Sequence, residues 1–589
     1  MSLTIEEAIE WIHSRLPFGS RPGLERVEEL LKRVGNPEAK VPTIHIAGTN
    51  GKGSTVTYLR CMLEELGLKV GTFTSPYIEH FNERIAINGR GIPNKQLVHY
   101  VEKYQVLVSE MDQQAESAGI TEFETLTAMA FDYFLDEQVD IAIIEVGLGG
   151  LLDSTNVVKP MLTAITTIGK DHTEILGDTL EKIAFQKAGI IKENIPVVTG
   201  NIEEEAFIVI NEIAKEKHSH LYRFGVDYKA EYLHPDKNWG EVFHFYGEAG
   251  KLPNIKVSLL GRHQVENAAV AIQLFYLYCR DQQINFSDRD IYQGLSNAQW
   301  PGRMEKISDE PFIILDGAHN DHAMRRLAEN LKKEFPNREI NILFSALSTK
   351  NVDQMIGLLK KVPNVHLYLT TFDYPRAIDL SKMEHYEDVK TEIVSLWQFG
   401  LGEILEKMSA DDLLFLGVSD EEVQENYHRI FQDFGKERVE EFIQRSYEDT
   451  YQVFESGKVP LKEGVLELLD YLDEQKVPRI VASSNVRPAI ELLLDGAGIK
   501  ERFSGIVSAE DVTRAKPDPE IFKKALTVLG TTAANTLIFE DSFHGVTAAD
   551  AAGIPVIMVP DLLAPSDEIK KKTLEIFESL KQVPTYLQK

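Results

Sequence analysis

Thr43-Ile-His-Ile-Ala-Gly-Thr-Asn-Gly-Lys-Gly-Ser-Thr55 is the stretch that decides the fold of the first part of this chain. A short apolar run ends in a turn with three glycines and one lysine, and a helical pattern follows from Ser54. In such a strand–loop–helix unit, backbone N–H groups and the helix N-terminus face an anion, and Lys52 adds a full positive charge. The pattern therefore predicts a phosphate-binding loop formed by Gly48, Thr49, Asn50, Gly51, Lys52, Gly53 and Ser54.

The loop is shorter than the standard Walker loop. That pattern needs a glycine where Ile46 stands. The departure argues against a generic ATPase and favours one branch of phosphate-binding enzymes.

Composition sets limits on partners and compartment. The chain has 589 residues with 62 Lys and Arg against 92 Asp and Glu, so its formal net charge is −30. Such a surface repels nucleic acid and anionic membranes, and we expect neither as a partner. The two cysteines, Cys61 and Cys279, lie in helical patterns and are typical of buried thiols in a reducing compartment. We expect a cytoplasmic monomer without a signal peptide or membrane span.

The order of apolar patterns predicts three α/β domains, at 1–298, 299–415 and 416–589. Strand-like runs alternate with helical patterns throughout, which favours mostly parallel sheets covered by helices. Between Lys229 and Val257, period-two alternation predicts an antiparallel hairpin insert. Trp300-Pro-Gly-Arg-Met304 is typical of a hinge between domains. The predicted strands are Thr43–Ala47, Ile141–Val146, Leu162–Thr167, Pro196–Thr199, Phe312–Leu315, Ile340–Phe344, Val365–Thr370, Arg479–Ala482, Gly505–Val507, Thr536–Phe539 and Val556–Val559.

Eight motifs occur in a fixed order over about residues 1 to 412. They are Gly48–Ser54, Ser75–Arg84, Glu145–Gly150 with Asp153–Asn156, Asp171-His172, Lys187–Lys192, Gly261–Gln264 with Asn267, Trp300–Arg303, and Asp316-Gly-Ala-His-Asn320. Together they resemble the folylpolyglutamate synthase family of the Mur ligase superfamily. The resemblance implies a P-loop Mur-ligase-like central domain followed by a Rossmann-like second domain whose last strand is missing here.

The resemblance also implies an activity. Such ligases transfer the ATP γ-phosphate to a carboxylate, and an amine then displaces phosphate from the acyl phosphate. The substrates implied are ATP, L-glutamate and the γ-carboxyl of a reduced folate. Positioning and charge neutralisation do most of the work in phosphoryl transfer. Dihydrofolate synthase activity in the same site is a sibling alternative.

Particular residues acquire roles through the resemblance. The metal ligands implied are Ser75, Glu145, His172 and Lys187, for two Mg²⁺ sites, with Lys187 carried as a carbamate. The catalytic residues implied are Lys52, Lys187 and His319. Arg303, Asp316 and Asn267 are expected to hold the nucleotide, and Arg84 is a candidate partner for a substrate carboxylate.

The last part of the chain, about 417 to 563, resembles the haloacid dehalogenase superfamily near its β-phosphoglucomutase-like group. The residues that carry this likeness are Ser483, Lys516, Glu540 and Asp541, and residues 419–458 resemble the helical cap of that group. Members begin with a strand ending in Asp-x-Asp, whose first aspartate attacks phosphorus. Here the only Asp-x-Asp is Asp288-Arg-Asp290, at the start of a helical pattern in the ligase part. We therefore expect an incomplete HAD-like α/β domain with a cap remnant and without its nucleophile.

The junction Asp411-Asp-Leu-Leu-Phe-Leu-Gly-Val-Ser-Asp420 joins a ligase strand directly to a cap-like helix. We interpret it as a fusion of two neighbouring genes. Three alternatives to the ligase remain open from sequence: the sibling synthase, a phosphatase or phosphoglucomutase in the C-terminal part, and an inactive nucleotide-binding fusion product.

Overall fold

The fold was analysed on a computed structural model. It describes residues 3–15, 23–77, 80–114, 118–248, 250–309, 311–318, 320–346, 352–371, 378, 383, 386, 390–394, 397–409, 412–418, 461–483, 487–512, 514, 516, 518–560 and 567–588. The chain divides into two compact units, the first largely residues 1–367 and the second largely residues 433–589. None of the described helices is long and apolar enough to cross a membrane.

The first unit is built on an eight-stranded sheet in the order β4-β3-β2-β5-β1-β6-β7-β8. The pairs from β2 to β8 are parallel, and β3 and β4 add an antiparallel edge. The strands are β1 (Thr43–Ala47), β2 (Val70–Phe73), β3 (Ile85–Ile87), β4 (Arg90–Gly91), β5 (Ile141–Glu145), β6 (Leu162–Ile165), β7 (Val197–Thr199) and β8 (Leu221–Arg223).

Helices cover both faces of this sheet. They are α1 (Ile5–His13), α2 (Glu25–Arg33), α3 (Lys52–Glu65), α4 (Asn94–Asp112), α5 (Glu122–Asp136), α6 (Thr173–Leu176), α7 (Leu180–Ala188), α8 (Glu204–Glu216), α9 (Arg262–Asp281) and α10 (Asp288–Asn297). Ile44 and Ile143 pack into one core with α3 and α9, whereas Ala142 and Ile144 pack into another with α4 and α5. Burial on both faces explains why these strands are continuous apolar runs.

The insert predicted as a hairpin is a three-stranded antiparallel sheet in the order β11-β10-β9. Its strands are β9 (Lys229–Pro235), β10 (Glu241–Gly247) and β11 (Gly250–Val257). Phe243 and Phe245 of the middle strand are fully buried against α9. The third strand was missed because the polar segment 250–256 has no strong apolar alternation.

The second α/β segment contains β12 (Glu305–Asp309), β13 (Phe312–Asp316), β14 (Ile340–Ser345), β15 (Val365–Thr370), β16 (Thr391–Val394) and β17 (Leu413–Val418), with α11 (Asp321–Glu334), α12 (Val352–Leu359) and α13 (Trp397–Lys407). Strand β17 lies between β13 and β14 and is parallel to both. Residues 413–417 are fully buried as a result. The junction segment is therefore a central strand of this sheet.

The second unit carries β18 (Val481–Ala482), β19 (Ile506–Val507), β20 (Ile538–Glu540), β21 (Val556–Met558) and β22 (Glu575–Ile576). Its helices span Val465–Glu474, Arg487–Gly496, Glu520–Leu529, Phe543–Ala551, Asp567–Lys572 and Val583–Leu587. Among the described residues, β18 and β19 form one parallel sheet, and β20, β21 and β22 form another. The cap-like stretch at 419–458 lies outside the described residues.

The predicted strands are present, and their bounds match or differ by one or two residues. Helix α3 begins at Lys52, earlier than the predicted Ser54. Asp288 and Asp290 lie in the first turn of α10, behind a Ser287 capping box, which confirms that they do not form a nucleophile strand.

Candidate active site

The turn between β1 and α3 has the geometry of a phosphate-binding loop. Gly51 precedes α3 with φ 84°, in the left-handed region that favours glycine. A Cβ at Gly51 would lie 2.3 Å from Oδ1 of Asn267, and a Cβ at Gly53 would lie 2.6 Å from the Trp300 ring. Glycine is therefore required at both positions, because α9 and the hinge pack directly on the loop.

Lys52 is held at the centre of this loop. Its Nζ donates to the carbonyl oxygen of Gly48 at 3.1 Å and lies 3.8 Å from Oε1 of Glu145, which ends β5. Adjacent parallel strands bring the two residues together, because β1 pairs with β5 and both end at the same edge.

One cavity in the first unit brings together most of the residues predicted from sequence. The predicted residues that line it are Gly48, Thr49, Asn50, Gly51, Lys52, Gly53, Ser54, Ser75, Glu145, His172, Lys187, Asn267, Arg303 and Asp316. They come from both α/β segments of the ligase-like part. The cavity is thus lined by residues that lie before and after the segment Trp300–Met304.

Glu145 has the environment of a cation ligand. Its side chain is 4% exposed, and burial raises its pKa to about 7 despite the nearby charges of Lys52 and Arg303. The backbone N–H of Ser75 bonds to it, while Oε2 has no hydrogen-bond partner among the described residues. A buried carboxylate oxygen with an unused lone pair fits a hard cation such as Mg²⁺.

His172 and Lys187 differ strongly in burial. His172 has φ 49° at the start of α6, and its side chain is 42% exposed. Lys187 is buried, and its Nζ donates to the carbonyl oxygen of Gly48 at 3.0 Å. Desolvation, with a smaller effect from the charge of Lys52, lowers the pKa of Lys187 to about 7.

The metal ligands implied by the resemblance are not a cluster of the side chains that most often bind metals. No group of three His, Cys, Asp or Glu side chains placed to hold a metal occurs in the described part of the chain. Ser75, Glu145, His172 and Lys187 nevertheless line one cavity. Of these four residues, only Glu145 and His172 are ordinary metal-binding types. The proposed metal site therefore also depends on the Ser75 hydroxyl and on a modification that gives Lys187 an oxygen donor.

A buried polar chain supports the loop after β5. Asp153 accepts hydrogen bonds from the backbone of Leu148 at 2.7 Å and of Thr155 at 3.0 Å. The Thr155 hydroxyl also lies 2.9 Å from Nε2 of His45, on β1. Sequence reasoning missed His45 because a single histidine in an apolar strand gives no signal of its partner.

On the opposite wall, Asp316 ends β13. Its two oxygens accept hydrogen bonds from the backbone of Met304 and of Ala318, each at 2.8 Å. It therefore braces the hinge as well as lining the cavity, and burial raises its pKa although Arg303 opposes that shift. His319 lies outside the described residues, and its catalytic role stays a prediction.

Asn320 belongs to one of the sequence motifs but was given no role, and its side chain contacts two residues that line the cavity. Its amide exchanges hydrogen bonds with the amide of Asn50, at 3.0 and 3.3 Å, and donates to Asp171 at 3.1 Å. The phosphate loop is thus tied to the start of α11, 270 residues later.

Arg84 does not line the cavity. Its guanidinium lies 3.8 Å from Glu122 and over the rings of Tyr77 and Phe81. Its role as a substrate partner stays a prediction.

In the second unit, the phosphatase-like residues are partly assembled. The Lys516 ammonium forms a close ion pair with Glu540 and lies 3.5 Å from the carbonyl of Ala482, next to Ser483. The Lys516 side chain is only 11% exposed, whereas that of Asp541 is 58% exposed and lies 3.9 Å from Lys462. Lys516 is therefore already neutralised by a carboxylate.

Family models match three consecutive segments. The Mur ligase middle domain matches residues 46–275, the Mur ligase glutamate ligase domain matches 302–417, and a haloacid dehalogenase-like hydrolase matches 418–559. The last match begins where β17 ends.

Curated relatives and solved structures match the ligase part. The dihydrofolate synthase/folylpolyglutamate synthase of Bacillus subtilis is 44% identical over 378 residues, which cover 64% of this chain and 87% of that protein. The folylpolyglutamate synthase of Lacticaseibacillus casei is 36% identical over 414 residues, covering 70% and 95%.

Among structures, an FPGS–AMPPCP–folate complex aligns with TM-score 0.64 and 34% identity, covering 72% of this chain and all of that one (100%). The Mycobacterium tuberculosis folylpolyglutamate synthase complexed with ADP aligns with TM-score 0.67 and 27% identity, covering 72% and 98%. With its cavity, its loop and these relatives in agreement, the chain belongs to the dihydrofolate synthase/folylpolyglutamate synthase family of Mur ligases and carries a haloacid dehalogenase-like region after it.

Proposed function

We propose that this protein is an ATP-dependent ligase that adds L-glutamate to the γ-carboxyl of a reduced folate or folylpolyglutamate. The observation that carries the proposal is the placement of Lys52 between the carbonyl of Gly48 and the buried carboxylate of Glu145, in a cavity lined by both ligase segments. Relatives named as folylpolyglutamate synthases, with AMPPCP, ADP and folate in their structures, support the same reading.

The chemistry requires an activated acid. The folate γ-carboxylate attacks the γ-phosphorus of ATP, ADP leaves, and the resulting acyl phosphate is captured by the glutamate amine with loss of phosphate and a proton. Lys52 and the loop N–H groups would hold the phosphates and offset their developing charge. The positive charge of Arg303 lies close enough to Glu145 and Asp316 to oppose the rise of their pKa values. Arg303 would add a second positive charge at the phosphates.

Ser75, Glu145, His172 and a carbamylated Lys187 would hold Mg²⁺, which supplies charge neutralisation at the phosphate oxygens. The buried Lys187 supports this assignment because its lowered pKa of about 7 leaves much of it as the neutral amine near neutral pH. A neutral amine reacts with CO₂ to give a carbamate and a proton. The product replaces a cation with an anionic oxygen donor.

Exclusion of water is a second requirement, because an acyl phosphate hydrolyses readily. The reciprocal amide pair of Asn50 and Asn320 joins the phosphate loop to α11. We infer that this pair keeps the second wall over the nucleotide during the reaction. The protein would act as a cytoplasmic monomer on small-molecule substrates.

Dihydrofolate synthase activity is the second candidate. The Bacillus subtilis relative bears both names, so dihydropteroate is a reasonable acid substrate for the same cavity. A phosphatase in the second unit has less support, because Lys516 is already paired with Glu540 and the only Asp-x-Asp of the sequence, Asp288-Arg-Asp290, lies in α10 of the ligase part.

The test is a ligase assay on the purified full chain. We expect ADP release that depends on both L-glutamate and a tetrahydrofolate, with the elongated folate identified by mass spectrometry. Parallel assays with dihydropteroate and with sugar phosphates separate the alternatives. Tight ATP binding without glutamate-dependent turnover would identify an inactive relic instead.

A further inference from the structure

Asn330, on the inner side of α11, has a hydrogen-bond donor that the fold leaves unused. Its side chain is buried, with 7% exposed, and its Nδ2 atom has no acceptor among the described residues. The residue also lines the cavity described above. A buried amide donor without a partner destabilises the fold, so the position points to an acceptor supplied by a ligand.

Contacts along α9 fix where Asn330 lies relative to the phosphate loop. Asn267 touches the loop at Gly51. The first residues of α9 are one helical turn away from Asn267, or about 6 Å for four residues. A Cβ built on Gly261, just before α9, would lie 2.6 Å from Nδ2 of Asn330 and equally close to His263. Asn330 therefore lies at the end of the cavity beside the start of α9.

The surroundings at that end suit a flat ring better than a phosphate. Leu327, one turn before Asn330 on α11, is apolar, buried and part of the cavity wall. Arg326, a cation of the same helix that lines the cavity, is already paired with Glu266 at 3.3 Å. Leu327 thus supplies apolar surface beside the Asn330 amide and His263, and apolar surface with a few converging polar groups is typical of a site for a heterocycle.

We propose that Asn330 is a base-recognising residue, whose Nδ2 donates a hydrogen bond to a ring nitrogen of the purine when a nucleotide occupies the cavity. A carboxamide offers a donor beside an acceptor, which matches the ring nitrogen and exocyclic amine on one edge of adenine. The inference rests on the proposed function only in requiring that an adenine nucleotide binds here. According to this inference, Asn330 contributes to the tighter binding of ADP than of UDP by the protein.

The test measures binding rather than turnover. Titration calorimetry on the full chain with Mg²⁺ would compare ADP, UDP and inorganic tripolyphosphate, for wild type and Asn330→Leu. We expect ADP to bind the variant about fivefold more weakly, as for one lost hydrogen bond. Tripolyphosphate, which has no base, should bind both equally, and the preference for ADP over UDP should narrow by a similar factor. Glu329→Ala, at the exposed preceding position, is the matched control and should leave all three affinities unchanged.

Each other outcome has a defined meaning. Equal ADP affinity in wild type and Asn330→Leu overturns the proposal. Equal weakening of ADP and tripolyphosphate also overturns it, because that result describes a general distortion of the cavity. Absence of ADP binding in the wild type overturns both this inference and the proposed function, whereas ADP binding without glutamate ligation overturns the proposed function alone.

Discussion

Lys52 and Lys187 both donate hydrogen bonds to one acceptor, the carbonyl oxygen of Gly48, at 3.1 and 3.0 Å. Two full positive charges on one carbonyl would repel each other strongly in a buried site. Burial, with a smaller effect from the Lys52 charge, lowers the pKa of Lys187 to about 7, so that Lys187 loses its charge near neutral pH. We therefore predict a cationic role for Lys52 and a chemically reactive role for Lys187.

The cationic role predicts a large effect of Lys52→Ala. We expect kcat/KM for ATP to fall by about 10²- to 10³-fold, because the charge is preorganised where phosphate charge develops. The measurement is glutamate-dependent ADP release at several ATP concentrations. Lys95→Ala, at an exposed position in α4, is the control and should retain normal kinetics. Full turnover by Lys52→Ala would contradict the assignment.

The reactive role predicts a carbamate on Lys187. Protein equilibrated with ¹³C-bicarbonate slightly above neutral pH should show by NMR a carbamate resonance from Lys187, distinct from that of the N-terminal amine, because about half or more of Lys187 is the neutral amine there. Lys187→Ala should lose the resonance, and Lys182→Ala, at an exposed position on the same helix, should keep it. A spectrum identical in wild type and Lys187→Ala would remove the carbamate from the scheme.

The sequence predicted well those parts of the site whose structure depends on residues close together in the chain. Strand β1 has the predicted bounds, because an apolar run that ends at a glycine turn is determined by neighbouring residues. The start of α3 was missed by two residues because Gly51, in a left-handed conformation, permits the helix to begin at Lys52. The presence of a glycine is the only sign in the sequence that such a backbone angle occurs there.

Relationships between distant segments were not predictable from the residues alone. The amide pair of Asn50 and Asn320 depends on how two α/β segments meet, and the unused donor of Asn330 depends on space above Gly261. The resemblance supplied residues for the cavity but gave no role to Asn320 or Asn330. Likewise, the central place of β17 follows from sheet order, which a short apolar run does not reveal.

For the second unit, we predict no phosphatase activity. Lys516 is paired with Glu540 in a largely buried site, and the resemblance lacks its attacking aspartate. Phosphate release from sugar phosphates by the full chain should equal the background rate, and Asp541→Ala should not change it. Mg²⁺-dependent release in wild type that disappears in Asp541→Ala would show that another residue supplies the nucleophile.

The last prediction concerns acid stability and rests on His45. This histidine lies fully buried in β1, next to the Thr155 hydroxyl. Burial, with a smaller contribution from the charge of Lys192, lowers its pKa from 6.5 to about 3. Between these values the unfolded chain binds a proton that the folded chain does not. Protonation of His45 in the unfolded chain therefore lowers the free energy of unfolding as the pH falls from 6.5 towards about 3, by at most about 1.4 kcal/mol per pH unit, and has little effect well above pH 6.5.

His45→Gln separates this effect from other acid-sensitive groups. Glutamine keeps a polar partner for Thr155 but does not titrate, so the other groups cancel when the variant is compared with wild type. Urea unfolding, followed at pH 6.5 and about one and a half units lower, should show a loss of stability about 1.6 kcal/mol smaller in the variant. An equal loss in both proteins would mean that His45 is protonated in the folded state, because only then does its proton uptake cancel between folded and unfolded chains.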